Sequence, residues 1–480
     1  MRKLPQFLLI CAAVLLVGLT LVRAGQSWRN DSHLDHVAGA WTAMALDLRH
    51  GIFYRAPFGP AGYGGTRFFP LYFSLHAALL RIVGWRAAGY FLSSASIVLL
   101  LAGVYVLLRR LGTGRWLAAA AVLATLAGSS VQDALLTIRE DGMAAMFSVW
   151  GLALCVGREP SRRRIYLAAL LFSLAFATKE SSVSAAGALF LSFILAKRIR
   201  AALHFLGATS VGYAVVMAAM YLASSGRAFA AFRFTLATGS SLSSLLYSPV
   251  AMVQMMHGYV AETVLLVLGL AALIATSAQG ICRIASLWFV CALGVTLVIF
   301  SSDGTAGNHL MELHIAAVVM FVTWASDVLS PGAVIAVLAA ACMLAWTEVL
   351  GQHAGVDAVP MRAQLQQIVE AIGPTDKPIL ADDPLVPITA GQQPYVLDAF
   401  MLRVIREHDP SFSDPLWQKL RQRQFAAVVL LDNPDSDEGS DTYSNYHFGD
   451  DFVPLVEENY QPGKSVGGQY VFLPKASPAP

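Results

Sequence analysis

Residues 137–155 read TIREDGMAAMFSVWGLALC, with Arg139, Glu140 and Asp141 side by side at the start of an apolar run. Ionisable side chains at the edge of such a run are costly unless paired, and they mark a functional site by default. Further on, TKESS (178–182) sets Lys179 and Glu180 in a short polar break between two apolar runs. SSDGTAGNHLMELHIAAVVM (301–320) opens another helix, with Asn308 and Glu312 four apart on one face. Glu312 lies one turn into that helix and needs a partner, a role open to Lys179, Arg139 or a ligand hydroxyl. A carboxylate can take a hydroxyl proton as a general base. Cations can stabilise a phosphate leaving group as its charge develops. His309 and Glu312 also share a face, but two ligands fall short of a metal site, and no metal or cofactor is assigned. Simpler roles compete. An acid at a helix start complements the dipole, and Asp31 or Asp35 can serve as an N-cap.

These groups need elements to hold them. Of 480 residues, 56% are hydrophobic and 13% charged, with mean hydropathy +0.59; soluble domains carry about 25% charged residues. The apolar excess comes in blocks long enough to span a bilayer. Such blocks cover 5–24, 88–108, 115–131, 141–156, 165–178, 182–196, 201–223, 258–277, 284–300, 309–327 and 331–350. The first is a retained span rather than a cleaved signal peptide. The apolar stretch 68–84 is read as an interfacial helix. The basic links RRLGTGR (109–115), REPSRRR (158–164) and KRIR (197–200) set the orientation, since short basic loops face the cytoplasm. Eleven spans with the N-terminus inside put all three links inside. Asp35, Arg139, Lys179, Glu180, Asn308, His309 and Glu312 then collect at the outer surface, where they can line one cavity.

The segment 35–51, DHVAGAWTAMALDLRHG, has Trp41, Met44, Ala45 and Leu48 at helical spacing, which predicts an amphipathic surface helix stopped by Gly51. GPAGYGGTR (59–67) is glycine-rich but lacks a phosphate-loop pattern. The five cysteines, Cys11, Cys155, Cys282, Cys291 and Cys342, form no CxxC pair and read as small hydrophobes. Beyond 351 the character changes. A helix at 361–373, strands at 377–383 and 424–432 with a helical stretch at 396–423 between them, a polar turn-rich stretch at 433–463 and a closing strand at 468–474 predict a small α/β domain. The expectation is an all-α polytopic membrane domain (1–350) of about 11–13 transmembrane helices, followed by a soluble extracytoplasmic α/β domain (351–480). No basic–aromatic face for nucleic acid is evident.

Several motifs in this order resemble the integral-membrane glycosyltransferases of the GT-C superfamily. The likeness is to the bacterial branch related to protein mannosyltransferases and the lipid A aminoarabinose transferase. An acid before an amphipathic helix leads to LRHGIFY (48–54), then FFPLYF (68–73), Arg139-x-Asp141, TKESS, and a Gly307-Asn308 helix start with Glu312. DDPLVPITAGQQPYVLDAF (382–400) is similar to part of the outer domain of some members. The resemblance implies inverting transfer of a sugar from a polyprenyl-phosphate donor to a hydroxyl of a lipid, glycan or protein, at the outer face of the bacterial cytoplasmic membrane. It implies catalytic carboxylates among Asp35, Asp31, Asp141 and Glu312; in DSHLDH (31–36) the first-loop acid is either Asp31 or Asp35, and spacing to Gly51 favours the latter. It implies donor-phosphate binding by Arg139, Lys179 and Arg67, and substrate contacts from Tyr54, Tyr72, Glu180, Asn308 and His309.

Two other functions fit the same groups. A transporter or flippase for a lipid-linked or small solute would line a pathway with them, but no inverted repeat is visible and the polar groups gather at one surface. A glycan ligase or polymerase using a polyprenyl-diphosphate donor would need similar acids and cations.

Overall fold

A computed structural model of the chain describes residues 3–157, 159–237, 241–278, 284–302, 304–353 and 360–476. Arg158 and Cys282 lie outside the described residues. The N-terminal part is helical: α1 (Lys3–Asn30), α2 (His36–Arg49), α3 (Pro70–Leu79), α4 (Trp85–Arg110), α5 (Arg115–Ala127), α6 (Ser129–Leu136), α7 (Asp141–Cys155) and α8 (Arg162–Thr178). It continues through α9 (Ser184–Leu195), α10 (Ile199–Ser224), α11 (Arg227–Ala237), α12 (Leu242–Met255), α13 (Val260–Ala278), α14 (Ile284–Ile299), α15 (Met311–Val328) and α16 (Pro331–His353). Each of the eleven apolar segments coincides with a helix. Among the described residues, α1, α4, α10, α13 and the Gly307–Val328 segment containing α15 are long and apolar enough to cross a membrane. The bent pair α5–α6, broken by 69°, makes a sixth. Shorter apolar helices (α7, α9, α14 and Pro331–Thr347 of α16) pack among them. At 1.5 Å per residue, a 15-residue helix reaches only about 22 Å. The short helices therefore start or stop inside the apolar thickness, and their polar ends need partners there. The chain is a polytopic membrane protein with large apolar side chains such as Phe7, Ile82, Leu203 and Leu222 turned outward.

α3 is only ten residues long and begins with Pro70 in its first turn, a position where the missing N–H costs nothing. It cannot span, in line with the interfacial reading of 68–84. The segment 224–257, between two of the expected spans, contains α11 and α12.

The C-terminal part is built on a four-stranded sheet in the order β3-β4-β6-β5. The small hairpin β1 (Phe58–Gly59) and β2 (Gly62–Tyr63) precedes it in the first loop. β3 (Ile379–Ala381) lies parallel to β4 (Ala427–Leu430), and β6 (Tyr470–Pro474) is antiparallel to both β4 and β5 (Tyr460–Pro462). The parallel pair requires a crossover, supplied by α18 (Leu385–Thr389), α19 (Ala399–His408) and α20 (Asp414–Arg421); α17 (Met361–Ile372) precedes the sheet. The expected strands at 377–383, 424–432 and 468–474 are present. β5 was hidden in a polar stretch, and the fully buried Tyr460 anchors it.

The first loop is sewn to this part. The Tyr63 N–H donates to the Tyr395 carbonyl at 2.7 Å, and the Leu397 N–H donates back to the Tyr63 carbonyl at 2.9 Å. Arg55, paired with Asp47 at 2.6 Å, also donates to the Pro394 carbonyl at 2.6 Å. This contact fixes one glycine of the glycine-rich loop. Gly62 has φ +93, and a Cβ there would stand 2.1 Å from the Tyr395 carbonyl oxygen, so only glycine fits.

Candidate functional site

The starts of α2, α7 and α15 and the end of α8 meet at the end of the bundle that carries the C-terminal part. The basic links lie at the other end, where Arg110 hydrogen-bonds the Ala153 carbonyl near the close of α7 and Cys155 donates to the Arg164 carbonyl. α7 and α8 run antiparallel, so the first residue of one faces the residue that caps the other. Asp141 and Lys179 form an ion pair. Asn308 donates its amide to the same Asp141 oxygen at 2.9 Å. The other Asp141 oxygen is buried and has no hydrogen-bond partner among the described residues, as is true of Nδ1 of His309, Nε of Arg139 and one oxygen of Glu140. Such unpaired buried groups are rare in a finished core.

Asp141, Lys179, Asn308 and His309 open onto a cavity of about 410 Å³, open solvent at its mouth included, whose lining does not include Asp35, Arg139 or Glu140. Asp141, Lys179, Ser182, Asn308, His309 and Glu312 are among its lining groups. Glu312 accepts from the Ser184 hydroxyl and from the Trp288 indole N–H at 3.3 Å. Its partners are therefore neutral donors on α9 and α14 rather than Lys179 or Arg139.

Asp35 is the N-cap of α2: one oxygen accepts the Ala38 N–H at 2.8 Å and the other pairs with Arg139. Its side chain is 37% exposed. Burial pushes its pKa up, but Arg139, His36 and the Ala38 N–H outweigh that and hold it below the ordinary carboxylate value. Asp31 is placed otherwise. Its carboxylate is fully buried and bound by Arg86 at 2.7 Å and by Arg362 at 3.0 Å. It joins α1 to α4 and to α17, with no face toward the cavity lining. Its φ of +58 is a left-handed conformation that aspartate tolerates better than most residues.

The remaining candidates divide. Glu180 sits beside Lys179, and the field of Arg67 reaches both Glu180 and His309. The Arg67 guanidinium lies 4.4 Å from the centre of the Phe400 ring of α19. Tyr54 is buried and donates to the Phe68 carbonyl at 2.8 Å. Tyr72 is fully buried, hydrogen-bonded to Ser93 at 2.8 Å and edge-on to Trp41. Neither tyrosine is among the cavity-lining residues.

Around Asp35 the fold brings together residues whose pairing carried no local signal. His36 meets the ring of His447 edge-on with centroids 5.1 Å apart. His447 pairs with Asp382 at 3.0 Å, and Tyr443 donates to Asp382 at 3.3 Å. Asp383 accepts the Leu385 N–H at 2.8 Å, while its second oxygen is buried and unpartnered among the described residues. It packs on Gly39 of α2, where a Cβ would come within 2.9 Å of it. Burial pushes the Asp383 pKa up to about 7.

No protein-family model matches the sequence, and no curated protein matches it. Solved structures do. ArnT from Cupriavidus metallidurans bound to undecaprenyl phosphate is similar with a TM-score of 0.64 at 15% identity, over 97% of this chain and 98% of that one. The same protein in the apo state gives 0.61 at 16% identity, over 96% and 97%. The Archaeoglobus fulgidus oligosaccharyltransferase in the apo form gives 0.59 at 13% identity, over 98% of this chain and 74% of that one. The chain shares the fold of these solved structures, the GT-C-like fold expected from the sequence.

Proposed function

We propose that the protein transfers a sugar from a polyprenyl-phosphate donor to an acceptor hydroxyl, with inversion, at the extracytoplasmic face of a bacterial cytoplasmic membrane. The observation that carries this is the cavity at one end of a GT-C bundle, where Lys179, Asp141 and Asn308 converge beside the Asp35–Arg139 pair. That the similar ArnT was solved with undecaprenyl phosphate supports the donor class. Lys179, Arg139 and Arg67 bind the donor phosphate, Arg139 as a planar fork and Lys179 as a point charge. A phosphate at this place competes with Asp35 for Arg139. When the guanidinium turns to the phosphate, Asp35 is released as the base. The acceptor oxygen attacks the anomeric carbon as its proton passes to the carboxylate, and the bond to phosphate breaks on the opposite face. Polyprenyl phosphate leaves with its charge met by the cations. Asp141 holds Lys179, and Asn308 holds Asp141. The branch related to protein mannosyltransferases and the aminoarabinose transferase is the subgroup we favour, with residues 351–480 as an extracytoplasmic domain.

The test is turnover of a radiolabelled polyprenyl-phosphate sugar by purified protein. Consumption of donor, abolished in Asp35→Asn with polyprenyl-phosphate binding intact, is expected; absence of any polyprenyl-phosphate binding overturns the reading. The likeness to an oligosaccharyltransferase favours one second reading, transfer of a whole glycan, and preference for a diphosphate donor would select it. Orientation is read by thiol labelling in intact cells. Ala306→Cys should react with a membrane-impermeant reagent and Arg163→Cys should not; the reverse pattern rejects the assigned face.

A further inference from the structure

The C-terminal part places an Asp382–His447 pair against His36, the residue after Asp35, and the reaction above does not use it. Asp382 continues the edge of β3, its N–H bonded to the Val429 carbonyl at 3.0 Å. It holds Nδ1 of His447 at 3.0 Å and accepts from Tyr443, whose own oxygen accepts the Asp432 N–H at 3.1 Å. Both Asp382 and His447 are buried, and the pair is closed to solvent on the domain side. The His447 ring meets His36 at an interplanar angle of 74°. His36 follows Asp35 in the chain and begins α2.

Building on the transferase reading, we propose that the Asp382–His447 pair is a positioning unit: it sets a cation beside His36, so that His36 does not compete with Arg139 for Asp35. The charges facing His36 are Asp35 on its own helix, Arg139 from the turn before α7, and His447 and Asp382 from the C-terminal part. Those facing His447 are Asp382, Asp398 and Asp432. Burial chiefly lowers the His36 pKa; His447 and Arg139 add to this, while Asp35 and Asp382 oppose it. Burial also works against a charged His447, but Asp382 prevails and raises its pKa. A protonated His36 would lie against the Asp35 carboxylate and weaken it as a base. Replacing His447 with glutamine removes a cation and leaves Asp382 uncompensated, and both changes favour protonation of His36.

The experiment follows His36 in two ways on the full chain in detergent. Diethylpyrocarbonate acylates only neutral imidazole, and peptide mass spectrometry reads its rate at His36 against pH. In His447→Gln the His36 titration should move up by roughly 1 pH unit or more, and the acid limb of turnover should move with it. His447→Lys keeps the cation and should restore both profiles, which a merely structural role would not do. His36→Gln should remove that limb and make it indifferent to a second change at 447. An unmoved His36 titration in folded His447→Gln overturns the proposal. If that variant fails to fold, failure of His447→Lys to keep the wild-type titration, or an unchanged acid limb in His36→Gln, overturns it. A titration that moves as expected in a protein that consumes no sugar donor leaves the coupling standing and rejects the transferase reading instead.

Discussion

Asp31 and Asp35 stand four residues apart and use the same functional group in opposite ways. Asp31 has no exposed surface, and its two oxygens are shared between two arginines from distant parts of the chain. Asp35 has one oxygen fixed at a helix start and the other on a single arginine, with over a third of the side chain open. Asp31 is a strut. Arg86 and Arg362 complete its bonding, and a substrate has nothing to gain there. Asp35 is held firmly enough to be placed, but a competing anion can draw Arg139 away. The Lys179–Asp141 pair is of the second kind, since Asp141 keeps one buried oxygen without a partner among the described residues. Residue type does not separate Asp31 from Asp35 here; the number of arginines on the carboxylate and its exposure do.

The comparison is broken most decisively at Asp35. Asparagine can still cap α2, so Asp35→Asn should fold normally while turnover falls by about 10²–10⁴-fold, the usual contribution of a positioned base. Asp31→Asn, assayed in parallel, should retain near wild-type turnover per folded molecule; the opposite outcome would exchange the two roles. Next in size is donor affinity. Arg139→Ala and Lys179→Ala should each weaken polyprenyl-phosphate binding by roughly 10–100-fold, the worth of a charged hydrogen bond, measured by equilibrium binding in detergent. Loss of thermal stability without loss of affinity would make these pairs struts as well. Asp31→Asn should in turn lose about 1.5–3 kcal/mol of stability, seen in denaturant or thermal unfolding.

A smaller effect tests the contact of the C-terminal part with α2. Asp383 has a pKa of about 7 when folded, above its ordinary value near 4. Between those values the folded chain holds a proton that the unfolded chain has released. Stability from this group is therefore present below about pH 4, falls as pH rises toward 7, and is flat beyond. The difference in unfolding midpoint between wild type and Asp383→Asn should follow that window. A difference independent of pH would show that the carboxyl is not titrating. The smallest change is expected from Tyr72→Phe, which removes one buried hydroxyl bonded to Ser93. A loss of about 0.5–1.5 kcal/mol with turnover unchanged would mark Tyr72 as packing.

Hydropathy made the bundle legible, because each lipid-facing helix carries its own signal. It placed Arg139, Asp141, Lys179, Asn308 and Glu312 at helix ends, and those ends do converge. It missed α12, whose polar SSLSS lead-in (240–244) masks an apolar face at Leu242, Leu246, Val250 and Val253. It separated Asp31 from Asp35 only by spacing to Gly51, since what ties Asp31 down is Arg362, more than three hundred residues away. For the same reason His447 gave no warning. It reaches His36 only through the fold of the C-terminal part, and no local pattern marks such a pairing. The glycines of 59–67 were visible, but the carbonyl that demands Gly62 belongs to Tyr395.

The stitch between the first loop and residues 394–397 also sets a timetable. Arg55 and its acceptor at Pro394 are 339 positions apart. At ~5–20 residues per second of synthesis, roughly 20–70 s separate the emergence of one from the other. Through that interval α2 lacks the surface that seats Gly39, and His36 lacks its His447 partner. A nascent chain can already have its spans in the bilayer while its candidate site is still unassembled. On the transferase reading, a newly made chain stays silent until residues 394–397 and His447 have been added.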